Sequence, residues 1–216
     1  MRVAYVVDVH GDFAAVTRAL GRIGAVDVLI IGGDITTKGS ADDVARAIAG
    51  WQSSAARLFA VAGNMDSAAI DARLADLGVS LDARGVVLGG VGFFGVSAGP
   101  KSPLRTPYEI TEEEMAARIE TGFAAVKDCR IKVFCPHVPP ANTACDRIFC
   151  GLHVGSRAVR DFIERAQPDL VLCGHIHESR GEDRLGCSRV VNPGPITQGH
   201  YAVADIGETV AVRFDA

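Results

Sequence analysis

Seven residues of metal-binding types follow short apolar segments along this chain. They are two aspartates, one asparagine and four histidines: Asp8, His10, Asp34, Asn64, His137, His175 and His177. Residues i and i+2 of an extended segment point to the same side, so Asp8 with His10, and His175 with His177, can each converge on one point. Carboxylate and imidazole ligands, with no cysteine among them, suit Mn, Fe, Zn or Ni better than Ca or a structural zinc cage.

Two such ions would support phosphoryl chemistry. A carboxylate directly after a strand, such as Asp34, can bridge two ions. Two ions ~3.5–4 Å apart can hold a bridging hydroxide at neutral pH and neutralise phosphoryl oxygens during in-line displacement. Taken singly, each motif also has an ordinary explanation: Asp8-x-His10 as a capped turn, Gly33-Asp34 as a β-turn, His137 as a loop residue. The order of the whole set, each member after an apolar run, favours the metal site.

The elements that would position these side chains alternate along the chain. Five apolar runs do not alternate with polar residues and predict strands covered on both faces, at residues 3–7, 28–31, 58–61, 133–135 and 170–173. Helical periods lie between them: one ends at Gly24, one follows a capping box at residues 40–43, one begins at Thr111, and one stops before Pro168. Strand and helix in alternation predict an α/β layer structure.

Two further stretches, 86–96 and 187–214, have strand character, and no helical period separates the strands of the second stretch. We expect them to form a second sheet packed against the first. No tandem repeat or Pro/Gly/Ser linker divides the chain. The sequence therefore predicts one domain over residues 1–216.

Composition narrows the class of function. Apolar residues make up 48% and charged residues 22%, as in ordinary globular proteins. The net charge of -4 does not indicate the basic surface with which proteins usually bind duplex nucleic acid. Six cysteines without CxxC spacing indicate reduced thiols. The N-terminal apolar stretch is too short for a signal peptide, and no run approaches the ~18 residues of a membrane span. We expect a cytoplasmic protein that does not bind membranes; the sequence does not specify an oligomeric state.

The ordered motifs resemble those of a known family. The series Asp8-x-His10, Gly33-Asp34, Gly63-Asn64-x-Asp66, His137 and Gly174-His175-x-His177 resembles the calcineurin-like metallophosphoesterases over essentially the whole chain. The resemblance implies an α/β fold, a four-layer αββα sandwich of two mixed β-sheets flanked by helices, with a dinuclear site at the strand ends. It also implies ligand roles: Asp8, His10 and His177 on one ion, Asn64, His137 and His175 on the other, and Asp34 on both.

From this resemblance we expect two divalent transition-metal ions, Mn before Fe, Zn or Ni. The expected function is that of a phosphodiesterase or phosphatase on a small phosphorylated substrate, with Asp34 and Asn64 in the catalytic centre. The alternative is a non-catalytic scaffold, as in a retromer subunit that resembles this family. Retention of all seven residues of ligand type favours the enzyme, because buried carboxylates and histidines are costly without a metal.

One position departs from the family pattern. Family members with high phosphodiesterase or phosphatase activity usually carry His between the Asn and the acidic residue, where it helps protonate the leaving group. In this chain the residue is Met65. General acid help is typically worth ~10²–10⁴-fold in rate, and a thioether cannot supply it. Small members of the family vary at this position. His153, just before a helix that Ser156 would cap, is the candidate substitute; a structural loop histidine is the alternative.

Overall fold

The computed structural model describes residues 1–215 and contains two large β-sheets. The first is built from five strands: β1 (Arg2–Val6), β2 (Val26–Ile31), β3 (Ala55–Ala60), β12 (Tyr201–Ile206) and β13 (Val210–Asp215). Their order across the sheet is β13-β12-β1-β2-β3. Strands β1, β2 and β3 are parallel, and β12 and β13 are antiparallel to their neighbours.

The second sheet has six strands: β4 (Gly85–Leu88), β5 (Val91–Val96), β8 (Ile131–Pro136), β9 (Leu170–Leu172), β10 (Gly181–Leu185) and β11 (Ser188–Asn192). Their order is β10-β11-β9-β8-β5-β4, with the four central strands parallel and both edge strands antiparallel. A small parallel pair, β6 (Gly99–Pro100) and β7 (Glu109–Ile110), closes a loop beside this sheet.

Five α-helices connect the strands: α1 (Phe13–Ile23), α2 (Ala41–Trp51), α3 (Ala68–Asp76), α4 (Glu112–Ala124) and α5 (Arg157–Ala166). The predicted capping boxes are present at Ser40 with Asp43 and at Thr111 with Glu114, where side chain and backbone satisfy each other's donors. Helix α3 was not among the predicted helices, although Ile70 and Leu74 have the spacing of one helix face and Ser67 caps its start. None of the helices among residues 1–215 has the length and apolar character needed to cross a bilayer.

Alternate side chains of the strands enter different cores. Val3 and Tyr5 pack between the two sheets, against residues such as Phe93 of the second sheet. Ala4 and Val6, which point the other way, belong to the cluster that includes the helices. Both faces of the central strands are thus covered, which explains why their sequences are continuously apolar. The predicted four-layer αββα arrangement is confirmed.

The assignment of strands to sheets differs from the prediction. The C-terminal stretch 187–214 does not lie in one sheet: β11 belongs to the second, whereas β12 pairs with β1 and completes the first. Conversely, β8 and β9, predicted alongside β1 to β3, lie in the second sheet with β5. Apolar content marks a strand as covered but carries no information on its partner, because pairing is decided by contacts distant in sequence.

The aromatic cluster between the second sheet and its helices should dominate local stability. Phe134 is fully buried, stacked on Phe94 with ring centroids 4.7 Å apart and edge-on to Phe162 at 5.2 Å. We expect Phe134→Ala to lower the free energy of unfolding by about 3–5 kcal/mol, measured by urea denaturation. The control Leu152→Ala, at a side chain that is 59% exposed, should change it by less than about 0.5 kcal/mol. A loss below about 1 kcal/mol for Phe134→Ala would contradict this account.

Candidate metal centre

The structure brings together all seven residues that the sequence singled out. They lie in the loops that follow β1, β2, β3, β8 and β9, at the ends of strands from both sheets. Two groups form, each with its ligand atoms within 4.8 Å of one another: Asp8, His10 and His177; and Asp34, His137 and His175. Asn64 joins the second group, because its Oδ1 lies 3.1 Å from Nε2 of His137.

Asp34 belongs to the second group and also faces the first. Its Oδ1 is 3.5 Å from Nε2 of His137, and its Oδ2 is 3.8 Å from Nε2 of His10. One oxygen of a single carboxylate therefore faces each group. In the first group, Nε2 of His10 lies 3.2 Å from Nε2 of His177, which in turn is 3.7 Å from Oδ2 of Asp8. These spacings suit donor atoms that surround a common cation.

Outer contacts fix how the ligand side chains are turned. Nδ1 of His137 lies 2.9 Å from the carbonyl oxygen of Gly32, and Nδ1 of His10 lies 3.0 Å from Oγ1 of Thr37. With Nδ1 engaged in this way, each ring directs Nε2 into the cluster, which is the usual arrangement for a metal-binding histidine. The amide of Met65 donates to Oδ1 of Asp34 at 2.7 Å, so this residue contributes its backbone to the site.

Asp66 holds the loops that carry the ligands. Its buried carboxylate accepts three backbone N–H bonds, from Gly63 at 2.8 Å, Thr36 at 2.9 Å and Ile35 at 3.0 Å. Burial and the neighbouring charge of Asp34 raise the pKa of Asp66 to about 7, against the lowering effect of these bonds. Asp66 thus ties the loop after β2 to the loop after β3, which carry the candidate ligands Asp34 and Asn64.

Four of the candidate ligands have left-handed backbone conformations. The φ angles are 55° at Asp8, 48° at His10, 47° at Asp34 and 69° at His175. Asp and His are among the residues enriched in this region, yet each instance costs on the order of 1–3 kcal/mol and persists only when its surroundings enforce it. Here Asp8 donates to the carbonyl of Gly33, and His10 donates to the carbonyl of Asp34. The loops therefore hold one another in place.

Two motif glycines are required by close approach. A Cβ added to Gly63 would overlap the carboxylate of Asp34. At Gly33, which has φ +103°, a Cβ would lie 2.5 Å from Nδ1 of His137. These glycines thus allow the ligand side chains to reach the centre, which explains Gly33-Asp34 and Gly63-Asn64 in physical terms.

Burial shifts the pKa values of the candidate ligands. It lowers the pKa of His137 to about 4 and that of His175 to about 3, so both imidazoles are neutral at pH 7 and offer a lone pair. Burial also raises the pKa of Asp34 to about 6, and it raises the pKa of Asp8, with the charge of Asp34 adding to the effect. A site with buried carboxylates and neutral imidazoles fits divalent metal ions, which supply the missing positive charge.

The remaining predicted residue, His153, is not a member of either group of candidate ligands. Nδ1 of His153 lies 2.5 Å from Oδ1 of the fully buried Asp146, and the side chain of His153 is about one-third exposed. Asn192 braces the loop of His175 and His177: its Nδ2 donates to the carbonyl of Ile176 at 2.9 Å.

Sequence reasoning did not identify Thr37, which contacts His10, or Tyr108, whose amide donates to the carbonyl of Asn64 at 3.0 Å. Thr37 occupies an ordinary loop position, and the amide of Tyr108 reaches Asn64 from far along the chain. No local sequence signal marks either residue.

Comparison with known proteins identifies the family. The sequence profile of the calcineurin-like phosphoesterases matches residues 1–179. The chain belongs to the calcineurin-like phosphoesterase family. It is a hydrolase acting on phosphoric ester bonds, a class that uses divalent metals, and the two ligand groups described above supply candidate metal sites.

Similar proteins cover nearly the whole chain. An uncharacterised protein of Methanocaldococcus jannaschii is 31% identical over 219 residues, which span 100% of this chain and 96% of that protein. The crystal structure of TT1561 from Thermus thermophilus superposes with a TM-score of 0.74 at 19% identity, over 98% of this chain and 97% of that one. A dimetal phosphatase from Danio rerio gives 0.64 at 11% identity, over 99% and 95%. The two structures show that the fold is shared.

Removing the carboxylate that ties the ligand loops together should weaken metal binding. Asp66→Asn replaces one accepting oxygen by an amide donor, so at least one of its three N–H partners loses its acceptor. We expect metal affinity, measured by competition with a chromophoric chelator, to fall about 10–100-fold although every ligand is retained. The control Asp43→Asn, at the cap of α2, should leave affinity unchanged. Equal affinity for Asp66→Asn and the native protein would contradict the positioning role.

Proposed function

We propose that this protein hydrolyses a small phosphoester with two divalent transition-metal ions held by the seven clustered residues. The observation that carries the proposal is the position of Asp34, with one carboxylate oxygen toward each ligand group. A single carboxylate in that position serves two ions at once. The fold shared with a dimetal phosphatase from Danio rerio supports the same conclusion.

Each residue has a role in the proposal. Asp8, His10 and His177 would hold one ion, Asn64, His137 and His175 would hold the other, and Asp34 would serve both. The ions, when bound, supply Lewis acidity, activation of water and neutralisation of phosphoryl charge. The oxygen and nitrogen donor set suits Mn, Fe, Zn or Ni, and we choose Mn first because oxygen ligands favour it.

Proton supply to the leaving group is the open part of the chemistry. Met65 cannot donate a proton, and Asp66 has its oxygens engaged by backbone N–H groups. We propose His153 as the donor. Its Nδ1 is bonded to Asp146, which orients the ring, and its neighbour Val154 lines the same pocket as His175.

The metal stoichiometry tests the bridging role. Purified and reconstituted protein should hold two transition-metal ions per chain, and Asp34→Ala should lose at least one, because two adjacent cations then lack their shared anion. Elemental analysis after gel filtration measures this directly. Asp43→Ala, which removes a carboxylate from the exposed cap of α2, should keep both ions. Retention of both ions by Asp34→Ala would contradict the proposal.

The role of His153 can be tested by varying the leaving group. Nitrophenolate needs little proton donation and alkoxide needs much, so His153→Ala should slow alkyl phosphoesters by about 10²–10⁴-fold and nitrophenyl esters far less. The measurement is kcat/KM for both ester types under conditions where chemistry limits turnover. His200→Ala, at a histidine outside the ligand groups, is the matched control and should affect both esters equally. Equal effects of His153→Ala on the two ester types would assign His153 to loop structure alone.

A further inference from the structure

A pocket opens directly beside the candidate metal centre. Its cavity volume is about 450 Å³, and two ligands of the second group, Asn64 and His175, form part of its wall. The other side is formed by the segment around β6, with Pro100, Pro103 and Leu104, and by Ile148, Val154 and Ile176. A group attached to a phosphate at the metal centre therefore has this pocket as its neighbour. The volume lies within the roughly 300–1,000 Å³ of known ligand pockets.

The polar side chains in this wall are already satisfied by one another. The carboxylate of Glu109 accepts hydrogen bonds from the hydroxyl of Ser102 at 2.8 Å, the hydroxyl of Thr106 at 2.8 Å and the amide of Thr106 at 2.7 Å. These three residues supply the polar side chains of the wall apart from the metal ligands. With Glu109 engaged in this way, the wall offers a sugar or a nucleobase few free partners.

Backbone donors along the wall are engaged as well. The amide of Gly99 donates to Tyr108, that of Ile148 to Leu152, and that of Val154 to Asp146. A ligand with several hydroxyl or amide groups would lose its bonds to water and gain few in return, which disfavours its binding. An apolar ligand incurs no such loss.

Leu104 shows that the apolar wall is open to solvent. Its side chain is 83% exposed although it lines the pocket. An apolar ligand would remove this leucine from water together with its own surface, and burial of apolar surface is the main driving force of such binding. The pocket is about fifteen times the ~30 Å³ that one water molecule occupies, which gives room for a chain of about eight carbons.

We propose that this pocket binds an alkyl or aryl group esterified to the phosphate, so that the substrates are phosphoesters of lipophilic alcohols. The proposal rests on the proposed function, because it places the reacting phosphate at the metal centre. It distinguishes this chain's substrate class from nucleotides and sugar phosphates.

Binding of n-alkylphosphonates to the metal-loaded protein tests the pocket without turnover. Calorimetry should show that affinity rises about fourfold for each added methylene from ethyl to octyl. The heat capacity change should become more negative along the series, as burial of apolar surface requires. Equal affinity for ethylphosphonate and octylphosphonate would overturn the proposal and leave the apolar wall to another occupant, such as the side chain of a partner protein.

Two exposed leucines provide a matched pair of variants. Leu104 lines the pocket, whereas Leu152, 59% exposed on the neighbouring loop, does not. We expect Leu104→Ser to weaken octylphosphonate binding about fivefold to tenfold, with ethylphosphonate binding nearly unchanged. Leu152→Ser should change neither. The same loss in both variants would contradict the assignment of the alkyl group to this pocket.

Hydrolysis separates failure of this inference from failure of the proposed function. Methyl and octyl p-nitrophenyl phosphate share one leaving group, so kcat/KM for the octyl ester should exceed that for the methyl ester by at least about 100-fold. Equal rates for the two esters would overturn the substrate class and leave the phosphohydrolase proposal intact. No hydrolysis of either ester or of p-nitrophenyl phosphate, by protein that holds two metal ions, would overturn both.

Discussion

Burial of the Asp34 carboxylate between two groups of imidazoles is the constraint on which the rest of the site depends. Its two oxygens face His10 and His137 at 3.8 Å and 3.5 Å, and the ligand groups contain a second buried carboxylate, Asp8. Burial is the main cause of the raised pKa values of both carboxylates, because a charged carboxylate is costly away from water. Divalent cations would supply the counter-charge, so the same arrangement that is costly in the free chain becomes favourable when the ions bind.

The fold provides the rigidity that this arrangement requires. The ligands come from five loops at strand ends, and several of those loops bond directly to one another: His10 donates to the carbonyl of Asp34, and His175 donates to the carboxylate of Asp8 at 3.0 Å. Asp66 adds three backbone bonds that tie two of the loops together. Left-handed conformations at four ligands are stable only within such a network, because isolated loops would relax to ordinary backbone angles.

The candidate ligands and two helix starts could be predicted from the sequence, whereas strand pairing and the pocket could not. The seven candidate ligands follow apolar runs at strand ends, so the sequence could single them out, and the structure brings them together. The caps at Ser40 and Thr111 marked two helix starts. The pairing of β12 with β1 was missed, because residues about 200 positions apart in this 216-residue chain leave no local signal of their contact. The pocket beside His175 was equally invisible, since its wall combines segments near residues 100 and 150.

Anomalous diffraction from crystals of the metal-reconstituted protein tests the central claim most directly. The account predicts two metal peaks roughly 3.5–4 Å apart, one on each side of Asp34, with His10 and His177 on one peak and His137 and His175 on the other. A single peak, or two peaks that do not share Asp34, would contradict the view that this buried carboxylate organises a two-metal site.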